Sequence, residues 1–326
     1  MLQISCALPP APDTPELVRY AEELGYARAW IYDTPALQLD VWMTLALAAD
    51  RTTRIGIGPG VLIPSIRHVL ATASAIAHLE SLAAGRTAYA FGSGFTGRHA
   101  LGQHPLRWAD VATYVRDVRA LLAGETIEVD GANVAMLHGP GQAPARPIDP
   151  PFLIGTSGPK GEEAARALGT GVISSRPVAG FDWSVCLTFG TVLDVGEDLD
   201  TERVLQSAGP GAAVAYHATY QRQLPTFDVL PDSANWRASV DDVDPADRHL
   251  EVHRGHLTEL NRHDRKVMTG SIAVELTRSG TAPHWRSRLA AAAEAGATEV
   301  AYQPAGDDLR RELRSFIEAA KDQELA

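Results

Sequence analysis

Cysteine is scarce in this sequence, with only Cys6 and Cys186 among 326 residues. Two cysteines are too few for a disulfide scaffold, and these two lack the spacing of a metal-binding motif. We therefore expect both to be buried, reduced thiols of a cytoplasmic protein. Long apolar runs are missing as well, since no segment reaches the roughly 20 apolar residues of a membrane span. The first ten residues also lack a signal-peptide pattern, so we expect a soluble protein with no membrane partner.

Positive charge is in short supply. Lysine and arginine total 29 against 40 aspartates and glutamates, which gives a formal net charge of -11 at pH 7. An acidic surface repels phosphate backbones, and this argues against a nucleic-acid partner. An anionic cofactor would then depend on local basic groups or on helix N-termini. Apolar residues, at 45%, are abundant enough for a sizeable core.

Short apolar runs alternate with helical patterns along the chain, as parallel strands with crossover helices produce. An open doubly wound sheet would also alternate in this way. The glycines Gly56, Gly58 and Gly60 lack the continuation of a dinucleotide-binding fingerprint, however. Eight strand candidates without a clean break favour one α/β domain over residues 1–326, a (β/α)8 TIM barrel with insertions. The predicted strands are 3–8, 27–32, 54–57, 86–91, 152–154, 171–174, 185–195 and 299–303.

Helical periodicity fills most of the segments between these strands. In the first helix, Thr14 is predicted as the N-cap and Gly25 as the stop, because both residue types favour those positions. The predicted helices are 15–24, 40–49, 69–83, 109–122, 159–168, 207–224, 248–261, 284–295 and 307–323.

Two segments interrupt the alternation. Residues 125–137 suggest a hairpin around Asp130-Gly131, a turn signal, and a loop rich in proline and glycine follows. We therefore predict an insertion near 125–150. Residues 226–247 are rich in proline, aspartate and tryptophan and are predicted to be an irregular lid, so the second insertion lies near 226–268.

Polar or small residues follow most of the predicted strands. In a (β/α)8 barrel the active site lies at the C-terminal ends of the strands. A rim of glycines, serines and short polar side chains leaves room for a planar ligand and offers backbone N–H groups. These strand ends are Tyr32 to Thr34, Gly58 to Val61, Gly92 to Gly97, Gly155 to Gly161, Ser174-Ser175 and Gln303-Pro304.

The segment from Ser157 to Gly161 has the pattern of a phosphate site. A strand leads into Ser157-Gly158, and Pro159 suits the first turn of the following helix. Free N–H groups and the helix dipole favour an anion there, and Lys160 adds a positive charge. The alternative is an ordinary helix start in which Ser157 acts as a cap. The neighbouring glycine-rich strand ends favour the phosphate.

Four further side chains are candidates for chemistry. Asp33 either faces the ligand or is a turn residue after its strand. His99 is either an acid or base near neutral pH or a structural histidine. His253 and His256 stand three residues apart on one predicted helix, a spacing that can share a metal. No third-ligand pattern accompanies them, so we assign no metal and prefer a substrate, lid or interface role.

Several segments together resemble the luciferase-like monooxygenase superfamily. The resemblance is strongest to its deazaflavin-dependent branch, which includes methylenetetrahydromethanopterin reductase. These segments span most of the chain apart from 226–247. They are 39–46, 54–61, 67–68, 71–77, 85–86, 92–94, 154–160, 295–300 and 303–306.

This resemblance implies a (β/α)8 barrel, often homodimeric, with an isoalloxazine-like ring across the barrel mouth. It also implies a non-prolyl cis peptide at Gly60-Val61 that supports the ring. Asp33 is implied beside the ring, and His99 lies near the position where some relatives carry a catalytic glutamate. No glutamate occurs in that loop here. The resemblance and the glycine-rich strand ends together give the predicted cofactor-binding set, which is Asp33, Gly60, Val61, Gly92, Ser93, Ser157, Gly158, Pro159, Lys160 and Gly161.

The function that follows is hydride transfer between coenzyme F-420 and a small organic substrate, with Asp33 and His99 as catalytic residues. A deazaflavin carries hydride, so reductase or dehydrogenase chemistry is expected. Three alternatives stay open: an FMN-dependent monooxygenase on the same fold, a non-catalytic flavin- or deazaflavin-binding protein, and a barrel with unrelated chemistry such as a phosphate-binding lyase. The sequence carries no signature for the substrate.

Overall fold

Parallel strands form the centre of the structure, a computed structural model that describes residues 2–321. Of the ten strands within this range, eight are parallel, and β5 and β6 form a separate antiparallel hairpin. The strands are β1 (Gln3–Leu8), β2 (Arg28–Ile31), β3 (Gly56–Pro59), β4 (Tyr89–Gly92), β5 (Ile127–Val129), β6 (Ala132–Val134), β7 (Phe152–Gly155), β8 (Gly171–Ser174), β9 (Ser184–Phe189) and β10 (Glu299–Gln303).

The eight parallel strands close into a cylinder. Their hydrogen-bonded order is β3-β2-β1-β10-β9-β8-β7-β4. The two end strands then meet, because Ile57 pairs in parallel with Thr87. The Ile57 N–H donates to the Arg86 carbonyl at 2.9 Å, and the Ala88 N–H donates to the Ile57 carbonyl at 3.2 Å. The predicted (β/α)8 barrel is therefore confirmed.

Helices surround the barrel, and none within residues 2–321 is long and apolar enough to cross a membrane. The last two residues of the predicted helix 307–323 lie outside the described residues. The helices are α1 (Thr14–Leu24), α2 (Val41–Arg51), α3 (Val69–Leu82), α4 (Phe95–His99), α5 (Trp108–Ala123), α6 (Pro159–Leu168), α7 (Glu202–Gln221), α8 (Ser233–Asp241), α9 (Arg248–His253), α10 (Gly270–Thr277), α11 (Ala282–Glu294) and α12 (Leu309–Lys321).

The predicted element boundaries agree best where the local signal is strong. Strands β1, β8 and β10 and helix α6 match their predictions residue for residue. Strand β3 begins later than predicted because the Glu22 carboxylate accepts the N–H groups of Arg54 and Ile55, at 2.6 and 2.8 Å. Strand β9 ends six residues early, since Gly190 adopts a φ of 109° directly after Phe189.

The first helix corrects one capping prediction. Gly25 ends α1 as expected, with a φ of 89° and its N–H on the carbonyls of Ala21 and Glu22. Asp13, and not Thr14, occupies the N-cap position. The Thr14 hydroxyl is engaged elsewhere, because it donates to the Pro9 carbonyl at 2.6 Å.

The first predicted insertion contains the expected hairpin, and the second differs from its prediction. Asp130 and Gly131 have φ values of 50° and 79° and turn β5 into β6, as a two-residue hairpin turn requires. The stretch 226–247 is not irregular, since it contains a 3-10 helix (Pro225–Val229) and α8. The predicted helix 248–261 is also wrong in its second half, because α9 ends at His253.

Buried aromatic side chains explain the helical structure of the second insertion. Phe227, Trp236 and Val240 are each at most 1% exposed and pack with Tyr216 of α7 in a cluster of their own. Aromatic rings in this cluster lie 5.7 to 6.4 Å apart, centroid to centroid. This burial stabilises helices that the proline and aspartate content alone did not predict.

The barrel interior is filled by side chains. Alternate residues along a strand share a face, so inward-facing positions from all sides meet at the axis. Trp30 is the largest of them, and most of the others are small or branched. The buried interior cluster consists of Ala7, Trp30, Tyr32, Ala88, Ala90, Leu153, Ile173, Val185 and Ala301.

Both cysteines are buried free thiols, as predicted. Burial raises the pKa of Cys6, and it raises the pKa of Cys186 to about 11. A thiol held protonated in this way is a poor nucleophile.

Candidate active site at the mouth of the barrel

The peptide bond between Gly60 and Val61, directly after β3, is cis, as predicted. The bulge it forms is tied to both neighbouring strands. The Gly60 N–H donates to the Ile31 carbonyl of β2 at 2.8 Å, and the Leu62 N–H donates to the Ala90 carbonyl of β4 at 2.7 Å. The bulge therefore has a fixed position across the end of the barrel.

The Val61 side chain connects three glycine-rich strand ends. A Cβ atom on Gly92 would lie 2.7 Å from one Val61 methyl, and a Cβ on Gly155 would lie 2.7 Å from the other. The space that these two glycines leave empty is thus the space Val61 occupies. On the other side, a Cβ on Gly60 would lie 3.1 Å from the Trp30 Cβ. The ends of β3, β4 and β7 therefore converge at one point, as predicted.

Asp33 follows β2 and is 3% exposed. Its Oδ2 accepts a hydrogen bond from Arg67 at 2.6 Å, and Arg67 also reaches Asp40, the N-cap of α2, at 3.0 Å. Within the described residues, Asp33 Oδ1 is buried without a hydrogen-bond partner. Burial raises the pKa of Asp33, and both the Arg67 guanidinium and the nearby Ile63 N–H oppose that rise. Asp33 is thus not a solvent-exposed turn residue, and its role toward a ligand stays a prediction.

A second buried acceptor lies at the same end of the barrel. Gln303 is the last residue of β10. Ala301 and Glu299, two and four residues earlier on this strand, face the barrel interior, and alternation along the strand directs Gln303 to the same side. Its Oε1 atom is buried and has no partner among residues 2–321. Because buried polar groups in proteins are nearly always satisfied, Gln303 and Asp33 mark places where a ligand with hydrogen-bond donors fits.

The N-terminus of α6 begins at Pro159, as predicted. Ser157 makes no cap bond there, so the alternative of an ordinary serine-capped start is wrong. Its hydroxyl instead accepts from Arg222 at 3.3 Å. The Thr156 hydroxyl donates to the Gly158 carbonyl at 2.9 Å and shapes the turn. An exposed helix N-terminus with Lys160 and Arg222 beside it provides the local positive charge that an anion needs.

Gly161 differs from its neighbours in this segment. It is buried, and a Cβ atom there would lie 2.2 Å from the Thr156 hydroxyl and 2.7 Å from the Trp108 ring. Its missing side chain therefore allows close packing of α6 beneath the turn.

Helix α4 carries His99 over the rim. Its Phe95 ring lies 4.8 Å from the His99 ring, edge to face, and the Arg222 guanidinium lies 4.7 Å from the Phe95 ring. Burial lowers the pKa of His99, and the charges of His104 and Arg222 add to this effect. His99 is therefore neutral at neutral pH.

A cluster of histidines continues from α4 into the second insertion. His256 Nε2 lies 3.3 Å from the Thr96 hydroxyl, and His256 Nδ1 lies 2.8 Å from His217 Nδ1. His253 stacks on His99 with ring centroids 6.2 Å apart. Burial lowers the pKa of His253 to about 3 and that of His256 well below its usual range. His253 and His256 are therefore uncharged at neutral pH.

Three of these histidines are close enough to share a metal ion. His217, His253 and His256 each offer a ligand atom, and these atoms all lie within 4.8 Å of one another. The sequence offered no third ligand beside His253 and His256, but the fold brings His217 from α7. The pair also do not share a helix, since His256 lies in the turn after α9.

The predicted residues thus fall on one end of the barrel. Those around Val61 and Asp33 are at the mouth, those around Ser157 are on its rim, and the histidines form a wall beyond α4. A Cβ on Gly97 of α4 would lie 3.7 Å from the Asp33 carbonyl, which places this wall beside Asp33. Sequence reasoning missed the roles of Arg67, His217 and Arg222. Of these, only Arg67 had a signal, because it stands in a segment that carried the family resemblance.

Comparisons with known proteins agree with this architecture. The luciferase-like monooxygenase family matches residues 3–183. The 5,10-methylenetetrahydromethanopterin reductase of Methanolobus tindarius is 31% identical over 160 residues, which are 48% of this chain and 47% of that protein. The enzyme of the same name from Methanopyrus kandleri is 31% identical over 176 residues, 48% of this chain and 50% of that protein. The chain thus spans about half the length of the curated relatives it matches.

Solved structures resemble the whole chain. The coenzyme F-420-dependent tetrahydromethanopterin reductase of Methanopyrus kandleri has a TM-score of 0.66 at 18% identity and covers 99% of both chains. An F-420-dependent secondary alcohol dehydrogenase, in complex with an F-420-acetone adduct, has a TM-score of 0.65 at 17% identity and covers 98% of this chain and 99% of its own. A monooxygenase from Streptomyces bottropensis has a TM-score of 0.60 at 18% identity, covering 99% of this chain and 100% of its own. At these identities the likeness shows the fold.

Proposed function

Because the chain belongs to the luciferase-like monooxygenase family, we propose that it is an oxidoreductase that transfers a hydride between coenzyme F-420 and a small organic substrate. The observation that carries the proposal is the pairing of two features at one end of the barrel. One is a mouth with two unsatisfied buried acceptors, and the other is a rim with an exposed, cation-flanked helix N-terminus. One solved relative named as a coenzyme F-420-dependent reductase and another named as an F-420-dependent alcohol dehydrogenase support the choice of cofactor.

The residues at the mouth fit a flat, phosphorylated cofactor. The ring system would rest on the Gly60-Val61 segment, where Val61 packs over Gly92, with Ser93 next in the chain. The phosphate would bind at the α6 N-terminus, on the backbone from Ser157 to Lys160, with Arg222 adding a second cation. When bound, F-420 supplies the carbon centre that gives or accepts the hydride.

The protein contributes orientation and proton handling. Arg67 fixes the Asp33 carboxylate through Oδ2, so Oδ1 stays directed and free to accept a hydrogen bond from a cofactor or substrate donor. His99 is neutral, and its imidazole nitrogen can take the proton that the substrate loses during oxidation or return it during reduction. Holding both groups rigidly lowers the entropic part of the barrier. The substrate role of His253 and His256 stays a prediction.

An FMN-dependent monooxygenase is the second candidate, because a monooxygenase shares this fold and the same helix N-terminus suits a flavin phosphate. Titration of the purified protein with F-420 and with FMN separates the two. We expect F-420 to bind more tightly, with no oxygen consumption on reduction. Tight FMN binding with rapid oxygen uptake would refute our proposal, and binding of F-420 without turnover of any donor would support a non-catalytic carrier.

The phosphate site is tested by removing its charges. Lys160→Ala and Arg222→Ala each delete one cation near the α6 N-terminus, so each should weaken F-420 binding about tenfold. The matched control is Lys266→Ala, which removes an exposed lysine far along the chain, outside the proposed site. Equal affinities for the three variants would argue against this phosphate position.

We also propose that residues 1–326 form one barrel domain with the two insertions near 125–150 and 226–268, and that two copies associate as a homodimer. Sedimentation velocity of the purified protein measures the assembly directly. A single monomeric species at micromolar concentration would contradict the dimer.

A further inference from the structure

Three buried histidines from separate segments converge beside the mouth. His217 comes from α7, His253 is the last residue of α9, and His256 follows in the next turn. Each side chain belongs to a residue that is at most 4% exposed. Burying three imidazoles side by side brings no apolar gain, so their convergence calls for a chemical purpose.

The outer nitrogen of each ring is held by a polar group from another segment. His217 Nε2 lies 3.0 Å from Asp264 Oδ1, His253 Nε2 lies 2.6 Å from the Gln221 amide, and His256 Nε2 lies 3.3 Å from the Thr96 hydroxyl. Asp264 is itself fixed by Trp236 Nε1 at 2.8 Å. Metal-ligating histidines characteristically hold their second ring nitrogen in this way, most often through a carboxylate.

The tautomers of two rings follow from their partners. The Asp264 carboxylate accepts, so His217 Nε2 carries a hydrogen, and in the neutral imidazole that binds a metal Nδ1 then offers a lone pair. In the metal-free state His256 donates from Nδ1 to that lone pair, across 2.8 Å. When a cation binds both Nδ1 atoms, the hydrogen of His256 moves to Nε2 and points at the Thr96 hydroxyl. His256 keeps one hydrogen throughout, so no net charge change is required.

His253 contributes the third lone pair. In its present orientation, the Gln221 amide places its nitrogen on His253 Nε2, and both Gln221 Oε1 and His253 Nδ1 are buried without partners. Rotating the Gln221 amide by half a turn lets Oε1 accept from His253 Nε2–H. His253 Nδ1 then becomes a buried lone pair that lacks a partner.

We propose that His217, His253 and His256 bind one divalent cation of the zinc class through their Nδ1 atoms. Three neutral imidazoles with an open fourth position are a donor set that zinc and its neighbours accept. Zn–N bonds of about 2.0 to 2.1 Å in tetrahedral geometry set the nitrogens roughly 3.3 Å apart. The His217–His256 separation would open slightly on binding. Asp264 acts as the positioning residue for His217.

The first test uses the wild-type protein and does not depend on F-420. The protein is stripped with a chelator, exchanged into metal-free buffer and titrated with cobalt(II). We expect one equivalent to bind with the visible absorption bands of four-coordinate cobalt, zinc to bleach those bands, and one equivalent of zinc to be retained by elemental analysis. No bound metal at micromolar concentration would overturn the proposal, whatever the variants show.

Variants then identify the ligands. His253→Ala should abolish stoichiometric cobalt binding, whereas His249→Ala, on the same helix but outside the cluster, should leave it unchanged. Asp264→Asn keeps the shape of the side chain but removes the carboxylate that orients His217. It should weaken cobalt binding about 10- to 100-fold, the usual effect of losing such a partner. Circular dichroism shows whether each variant folds. Equal cobalt binding by His253→Ala and His249→Ala would refute these ligands.

Discussion

The two ends of the barrel each contain a buried carboxylate, but the two carboxylates differ in how fully they are hydrogen-bonded. At the N-terminal end of β10, Glu299 accepts hydrogen bonds from Ser5, from Trp30 at 2.8 Å and from Trp183 at 2.8 Å. At the C-terminal end of β2, Asp33 has Arg67 on one oxygen and no partner within the described chain on the other. The satisfied end holds the cylinder together, and the unsatisfied end is available to a ligand.

The surrounding side chains repeat this contrast. Around Glu299 the barrel is packed with large rings, and the Arg28 guanidinium lies 5.3 Å from the Trp30 ring and 4.9 Å from the Trp183 ring. Burial lowers the pKa of Arg28, and the charge of Glu299 opposes that change. Around Val61 the strand ends are glycines instead. One end of the barrel is thus filled by large rings, while at the other a single Val61 side chain packs over glycines.

The largest effect should come from Glu299→Gln. The amide nitrogen of the new glutamine would face the Trp183 Nε1–H, so two donors would oppose each other. Arg28 would also lose the negative charge of the Glu299 carboxylate beside it. The free energy of unfolding should therefore fall by about 3 kcal/mol. Urea unfolding at 25 °C measures this. The control Glu128→Gln changes an exposed residue of the hairpin and should alter stability by less than about 0.5 kcal/mol. Equal stabilities would show that the buried network does not hold the barrel.

Gly92→Ala should have the next largest effect. The new Cβ would lie 2.7 Å from a Val61 methyl, so the variant should lose about 2 kcal/mol of unfolding free energy through overpacking. Val61→Ala removes that methyl, and the double variant should recover most of the loss. A double-mutant cycle in urea measures the coupling between the two sites. Additive effects would contradict the contact that defines the mouth.

Asp33→Asn should affect binding more than stability. Burial already disfavours the charge, and Arg67 keeps its bond to Asp40, so the unfolding free energy should change by less than about 1 kcal/mol. F-420 affinity should nonetheless fall about tenfold, equivalent to about 1.4 kcal/mol. Titrating this variant and the control Asp117→Asn, on the outer helix α5, with F-420 provides the comparison. If Asp33→Asn lost as much stability as Glu299→Gln, both carboxylates would be structural, and the proposed difference between the two ends would be refuted.

His99 should have the smallest effect on stability and a clear effect on pH dependence. Its pKa is lowered below the ordinary 6.5 by burial, so the neutral form that accepts a proton persists at neutral pH. Turnover should therefore stay level above pH 6.5 and decline at lower pH as the ring gains a proton. His99→Gln should remove this acid limb, whereas His284→Gln, an exposed histidine, should retain it. An unchanged acid limb in His99→Gln would exclude His99 as the proton acceptor.

Much of the mouth was predictable because its signals are local. The turn after β3 and the start of α6 each depend on a few adjacent residues, such as Gly60-Val61 and Ser157 to Pro159. Glycine and proline restrict the backbone over short distances, so their positions carry information in one dimension. The family resemblance added the cis bond at Gly60, and the structure agrees.

The histidine wall was not predictable for the opposite reason. His217 and His256 lie 39 residues apart, and Asp264 stands a further 8 residues along. No periodicity links them, and His217 alone is an unremarkable residue of a predicted helix. Likewise, the prolines and aspartates of 226–247 predicted an irregular segment. Its helices are instead stabilised by the burial of Phe227 and Trp236 against α7, which the local sequence does not reveal.

The sequence by itself determined the alternation of strands and helices, the glycine-rich strand ends and the helix start at Pro159, because these follow from short-range backbone preferences. The tertiary structure decided which oxygen of Asp33 is left unpaired, how Val61 fills the space above Gly92 and Gly155, and which histidines meet. Those outcomes depend on the packing of distant segments, and the free energy of that packing is not contained in any single stretch of the chain.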